Sequence, residues 1–169
     1  LQLCLKNRVL LGGGKVHEDN TMLICPPQVL ESWKDEFVKM GTSFNNVESQ
    51  AKLSRVSEND PMHHRLSNAR IIVLDEAHNY LSAKSNRSER LQTNVADHLI
   101  LLTATPINRR FEDMFRLIEI MGIDNLDETA VVDYLRLYKL AKKGDRITLK
   151  DKEKLQGYLS QFLIRRTKR

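Results

Sequence analysis

Three short aliphatic runs punctuate the chain: Thr21-Met-Leu-Ile-Cys25, Ile71-Ile-Val-Leu74 and His98-Leu-Ile-Leu-Leu102. None alternates apolar with polar residues, so each predicts a strand buried on both faces. Elsewhere the apolar residues recur at helical spacing. Leu30, Trp33, Phe37 and Met40 share one face of a helix predicted over about residues 28–40, with further helices at about 111–121, 128–141 and 151–164. Leu1, Cys4, Leu5 and Val9 predict an opening helix across Leu1–Leu10, stopped by Gly12-Gly13-Gly14. Pro26-Pro27 closes the first strand and places proline in the first turn of the helix that follows. Phe44 to Ser49 reads as one more short strand, and residues 50–69 are polar and resolve only as loop and helix.

Buried strands alternating with amphipathic helices predict an α/β fold: a mostly parallel sheet with helices on both faces. In such sheets ligands gather at the carboxyl ends of the strands. All three runs end there in polar or proline-containing motifs: Pro26-Pro27, Asp75-Glu76-Ala77-His78 and Thr103-Ala104-Thr105-Pro106. That shared edge predicts a site.

Composition narrows the class. The chain has 169 residues, 41% hydrophobic and 29% charged, which fits one globular unit and excludes disorder, collagen and coiled coil. No repeat or low-complexity tract divides it, so one continuous fold is expected. No apolar run reaches the roughly 18–20 residues of a membrane span, and no signal peptide opens the chain. With only two cysteines, Cys4 and Cys25, a disulfide framework is excluded and a soluble, intracellular setting is expected.

The net charge of +5 is unevenly spread: residues 135–169 hold 12 basic and 3 acidic side chains, and the preceding part is net acidic. This reads equally as a polyanion-binding edge or as a solvated helix face. The terminal cluster Arg165-Arg166-Thr-Lys-Arg169 has the same two readings.

The chemistry concentrates at residues 75–78. A strand of four aliphatics that delivers two adjacent carboxylates into a loop is costly unless those charges meet a cation. One carboxylate can hold Mg²⁺, which keeps most of its waters and bridges to phosphate, while the next orients or deprotonates an attacking water. The competing reading makes Asp75 and Glu76 caps of a following helix. Thr103 and Thr105, on alternate positions, are able to bond across to the Asp75–His78 loop, although a threonine pair ending a strand is also ordinary turn chemistry. His63-His64 have no suitably spaced partners for a zinc site, and Trp33 lies with Leu30 and Phe37 on the apolar face, a core position rather than a base-stacking platform.

Asp75-Glu76-Ala77-His78 after a strand, followed by Thr103-Ala104-Thr105-Pro106, resembles motifs II and III of helicase superfamily 2. Ile24 to Trp33 resembles motif Ia of the Swi/Snf-family ATPases. Leu101 to Asn108, then Glu112 to Phe115 and Leu117-Ile118, is similar to that family's motif III and the helix after it, and Phe162 to Lys168 resembles the segment closing its first lobe. The resemblance implies a RecA-like lobe, of the P-loop NTPase type, from a DNA-dependent ATPase that moves along duplex DNA.

It also implies roles. ATP and Mg²⁺ would be the cofactors, with Asp75 holding Mg²⁺ through water, Glu76 polarising the hydrolytic water, and His78, Thr103, Ala104, Thr105 and Pro106 coupling hydrolysis to DNA. Pro27 and Gln28, with Arg165 and Arg166, would meet the nucleic-acid backbone. The partners implied are duplex DNA, the protein's own C-terminal helicase lobe and other subunits, with no membrane, in the nucleus of a eukaryote or the cytoplasmic nucleoid of a bacterium.

One motif departs from the family. Gly12-Gly-Gly-Lys15 is not a phosphate loop: Val9 stands where the pattern needs glycine, Val16 where it needs Ser or Thr, and a strand rather than a helix follows. The expectation is a partial lobe over residues 1–169, lacking its first strand and phosphate loop (motif I), which would precede Leu1, and lacking the second lobe. Such a fragment alone is expected to be inactive. Two alternatives stay open: a strand-separating superfamily 2 helicase or restriction-complex motor subunit, and a degenerate ATPase lobe acting as a binding module.

Overall fold

The computed structural model describes residues 20–41, 46–55, 57, 59–81, 86–92, 94, 96–104 and 111–160. The predicted Leu1–Leu10 helix, the Gly12–Lys15 turn and the Phe162–Lys168 ending lie outside these residues. So do Thr105, Pro106, Arg165 and Arg166. The chain falls into two compact units, one from residues 1–80 and 84–105, the other from 81–83 and 106–169. The sequence has no linker to announce this division.

The first unit holds a four-stranded, all-parallel sheet. Its strands are β1 (Thr21–Cys25), β2 (Val47–Ser49), β3 (Ile71–Leu74) and β4 (His98–Leu101), in the order β2-β1-β3-β4. Every residue of β1 and β3 is buried, as uninterrupted apolar runs require. Helix α1 (Leu30–Lys39) follows β1 after a 3-10 turn at Pro27–Val29. Short helices α2 (Gln50–Leu53) and α3 (Pro61–Asn68) lie between β2 and β3, and α4 (Asn86–Gln92) between β3 and β4.

The chain steps one way across the sheet from β1 to β2 and the other way from β2 through β3 to β4. Right-handed crossovers then put α1 on one face and the later helices on the other. On the α1 face, Phe37 packs with Leu23, Cys25, Val47, Ile71 and Val73, and Leu30 and Trp33 lie against this cluster. The alternate residues Met22, Ile24, Ile72 and Leu74 point to the opposite face and are equally buried, so both faces are covered. β4 differs. All four of its residues are partly exposed, and no described strand pairs with its outer side.

Local signals explain the helix boundaries. The Asp60 carboxylate accepts from the Met62 amide at 2.8 Å and Pro61 opens α3, which buries Met62 and Leu66 one turn apart. Gly41 takes φ +67° just past α1, where a side chain would be strained.

The second unit is helical: α5 (Phe111–Met121), α6 (Glu128–Lys143) and α7 (Leu149–Ser160). Phe115 of α5 meets the rings of Tyr134 and Tyr138 edge-on at 5.7 and 5.6 Å. Asp127 caps α6 by accepting from the Ala130 amide at 2.8 Å, and Gly144 in the left-handed region closes it. Helix α7 starts two residues before the predicted 151 because Thr148 and Asp151 cap each other: the Thr148 amide donates to Asp151 Oδ2 at 3.1 Å, and the Asp151 amide to Thr148 Oγ1 at 3.2 Å. Among the described residues no helix is long and apolar enough to cross a membrane.

Candidate functional site at the carboxyl edge of the sheet

The carboxyl ends of the strands are stitched together before any side chain is considered. The Asp75 amide donates to the Ile24 carbonyl at 2.9 Å, the Leu102 amide to the Leu74 carbonyl at 2.8 Å, and the Ala77 amide to the Leu102 carbonyl at 2.8 Å. The turn after β3 is thereby fastened to β1 on one side and to the end of β4 on the other. The sheet order reverses between β1 and β3, and in open α/β sheets that reversal marks the ligand crevice.

Asp75 is held from three directions. Its Oδ2 accepts the Trp33 indole Nε1–H at 2.8 Å, and its Oδ1 accepts the Glu76 amide at 2.9 Å. Its carbonyl accepts Gln50 Nε2–H at 2.9 Å, and Gln50 Oε1 in turn accepts from Asn79 Nδ2 at 3.3 Å. Gln50 is buried at 4% exposure, where a polar amide needs partners on both its atoms.

Glu76 adopts φ +49°, the one non-glycine residue among those described with positive φ. This left-handed conformation is costly for a residue with Cβ and recurs where function constrains the backbone. Its Oε2 is a buried atom with no hydrogen-bond partner among the described residues, although His78 Nδ1 stands 3.2 Å away, off hydrogen-bonding alignment. The same His78 Nδ1 lies 3.2 Å from Thr103 Oγ1 at the end of β4. Cys25, fully buried at the end of β1, has its thiol pushed up to about 11 by burial and then by the nearby Asp75 carboxylate, so it stays protonated.

The structure therefore brings Asp75, Glu76, His78 and Thr103 to one edge. Ala104 follows exposed, and Pro27 and Gln28 are exposed in the turn after β1. No side chain caps that turn or α1. The capping alternative for Asp75 and Glu76 receives little: Asp75 binds only the adjacent amide with its Oδ1, and a 3-10 turn (Ala77–Tyr80), not an α-helix, follows.

Three contributors escape the sequence reading. Gln50 and Asn79 carry no motif. Trp33 packs on the core as expected, its ring stacked on Phe37 at 5.9 Å, but it is only half-buried and its N–H serves Asp75, a second role the sequence reading did not include. The available signal was its chemistry: an enclosed indole N–H finds an acceptor.

Comparison with known proteins agrees with this architecture. Over 89% of its length the chain superimposes, with a TM-score of 0.58 and 25% identity, on 34% of a solved chain of the Sulfolobus solfataricus SWI2/SNF2 ATPase core in complex with dsDNA. It is 24% identical to the Chromodomain-helicase-DNA-binding protein 1-like of Danio rerio, covering 87% of this chain and 16% of that protein. It is 36% identical to the DNA repair protein RAD5A of Arabidopsis thaliana, covering 57% of this chain and 9% of that one. The chain thus spans less than a fifth of the length of either relative. Residues 42–169 match the SNF2-related domain. The sheet is that of a RecA-like ATPase lobe, and the chain belongs to the SNF2-related domain family.

Proposed function

We propose that residues 1–169 form part of the first lobe of a two-lobe, DNA-dependent ATPase that moves along duplex DNA, with the phosphate loop and the second lobe supplied by other sequence. The observation that carries this reading is the convergence of Asp75, Glu76, His78 and Thr103 on one sheet edge. The family membership and the duplex DNA in the Sulfolobus relative support the choice of partner.

The residues fit Mg²⁺. Two adjacent carboxylates, one with an unpartnered buried oxygen, face the same edge, and no cluster of three ligating side chains is found among the described residues. Mg²⁺ keeps its waters and binds through one or two carboxylates plus phosphate, so it needs no such cage. Asp75 would hold it through water, and when bound it supplies charge neutralisation to the ATP phosphates. Glu76 would accept the proton of the attacking water, a role that fits an Oε2 with no hydrogen-bond partner among the described residues. His78 and Thr103, with Ala104, Thr105 and Pro106 beyond, would carry the nucleotide state toward DNA. Pro27 and Gln28, and Arg165 and Arg166, would meet backbone phosphates, which position without reading sequence. The place of action would be that of the DNA, the nucleus of a eukaryote or the nucleoid of a bacterium.

The test is ATP hydrolysis by the complete two-lobe protein with no nucleic acid, blunt duplex DNA, single-stranded DNA or RNA, each at two salt concentrations. Stimulation by duplex, weakened by salt as counterion release requires, is expected. Stimulation by single strands alone would move the assignment to a strand-separating helicase, and no hydrolysis with any of them to a binding module.

A further inference from the structure

We infer that Trp33 is a positioning residue for Asp75, and that through it a phosphate gripped at the Pro27–Val29 turn is felt at the carboxylate proposed to hold Mg²⁺. The second half rests on the functional reading above; the first stands on geometry.

Packing alone does not account for a tryptophan here. The ring stacks on Phe37 at 5.9 Å and packs against the cluster Phe37 belongs to, contacts for which a phenylalanine ring would also serve. What only the indole adds is a donor, and that donor is spent on Asp75 Oδ2 at 2.8 Å across 42 residues of sequence. The donor is neutral. A lysine or arginine at the same distance would cancel part of the negative charge that attracts a divalent cation, whereas an indole N–H fixes the carboxylate plane and leaves its charge whole. The nearby cation, Lys34, is paired instead with Glu31 at 2.8 Å. With Oδ1 fixed by the Glu76 amide and the carbonyl by Gln50, each carboxylate oxygen of Asp75 accepts one hydrogen bond from the described residues and has a further lone pair to offer metal-bound water.

The link to DNA is mechanical. Trp33 is the fourth residue of α1, and α1 begins at Leu30 directly after the exposed turn. Pro26 and Pro27 stiffen the turn itself, and the residues between it and the indole, Leu30 to Ser32, are helical. A shift of the turn is a shift of the hydrogen bond. Trp33 and Asp75 also stand on opposite sides of the point where the strand order reverses, since they follow β1 and β3.

The chain has one tryptophan, which gives the test a clean signal. With ¹⁵N-tryptophan in the full chain, the single indole cross-peak is expected well downfield and slow to exchange. It should move upfield in Asp75→Asn and shift on titration with MgCl₂. An indole at its free position, unmoved by Asp75→Asn, overturns the hydrogen bond.

In the complete protein, Trp33→Phe keeps the stacked ring and deletes the donor. It should raise the Mg²⁺ concentration for half-maximal hydrolysis about tenfold and lower the stimulation by duplex DNA. A stimulated parent with an indistinguishable Trp33→Phe variant overturns the inference. A parent that duplex DNA does not stimulate overturns the functional reading instead, and leaves the indole signal to decide the positioning role.

Discussion

His78 Nδ1 lies 3.2 Å from the Thr103 hydroxyl, joining two loops that are 25 residues apart in sequence. The ring nitrogen is also 3.2 Å from Glu76 Oε2, so it stands between the proposed base and the end of the neighbouring strand. Thr103→Val keeps the shape and removes the hydroxyl. The ratio of duplex-stimulated to basal hydrolysis in the complete protein is expected to fall about fivefold or more, the lower range of typical coupling between sites. Steady-state rates with and without DNA check it, and an unchanged ratio would remove Thr103 from the coupling path.

Glu76→Gln retains the size and the backbone conformation of the parent residue but cannot take a proton. Hydrolysis by the complete protein should drop by about 100-fold or more, with ATP binding retained. Turnover measured beside equilibrium nucleotide binding separates the two effects. Near-normal turnover would sink the assignment of Glu76 as base.

The positive φ of Glu76 makes a separate claim about stability. Alanine at this position keeps the strain, and glycine relieves it. Glu76→Gly should therefore be more stable than Glu76→Ala by about 1 kcal/mol, seen as a higher denaturation midpoint, with both expected to be inactive on the proposed role. The reverse order would show that the turn relaxes once the carboxylate is gone.

Helices α6 and α7 are clamped by acidic side chains. Asp133 Oδ2 accepts the Tyr158 hydroxyl at 2.6 Å and lies 2.5 Å from Lys154 Nζ, and Asp151 Oδ1 accepts from Arg136 at 2.8 Å. These donors hold the Asp133 carboxyl below its ordinary range, Lys154 most of all. They lower Asp151 from 3.8 to about 2, with Arg136 the main cause and Thr148 adding to it. A depressed carboxyl contributes stability that is complete above its unfolded pKa and lost as pH falls through the folded one. The α6–α7 pairing should weaken between about pH 4 and pH 2, read by hydrogen exchange of its amides, with no corresponding loss from pH 5 to 7 on this account. Tyr158→Phe should cost about 1 kcal/mol and leave the rest of the clamp in place.

Much of this was legible in the sequence, and the exceptions have physical causes. β1, β3 and β4 declare themselves because uninterrupted aliphatic runs have few other homes, and Asp75, Glu76, His78 and Thr103 follow from where those runs end. β2 is weaker: Phe44 and Asn45 of the predicted strand lie outside the described residues, and of those described in it Val47 is the apolar one buried against the core. α3 carried a readable start in Asp60-Pro61, within a stretch too polar to show periodicity. Gln50 and Asn79 were invisible, since hydrogen bonds spanning 25 and 29 residues leave no trace in local pattern. Trp33 was half legible: hydropathy reports its ring and says nothing of its N–H.

The all-parallel sheet also bears on how the molecule assembles. Its described strands form no hairpin, because each ladder (Leu23 with Val47, Ile71 with Thr21, His98 with Ile71) requires a crossover before its first bond can form. The helices over residues 111–160 close through short loops and local contacts. Chains dominated by distant pairings search longer than those built from near neighbours. In refolding pulse-labelled with deuterium, α6 and α7 should gain protection first. The carboxylate edge, which exists only once β3 is seated between β1 and β4, should be the last part of the chain to take shape.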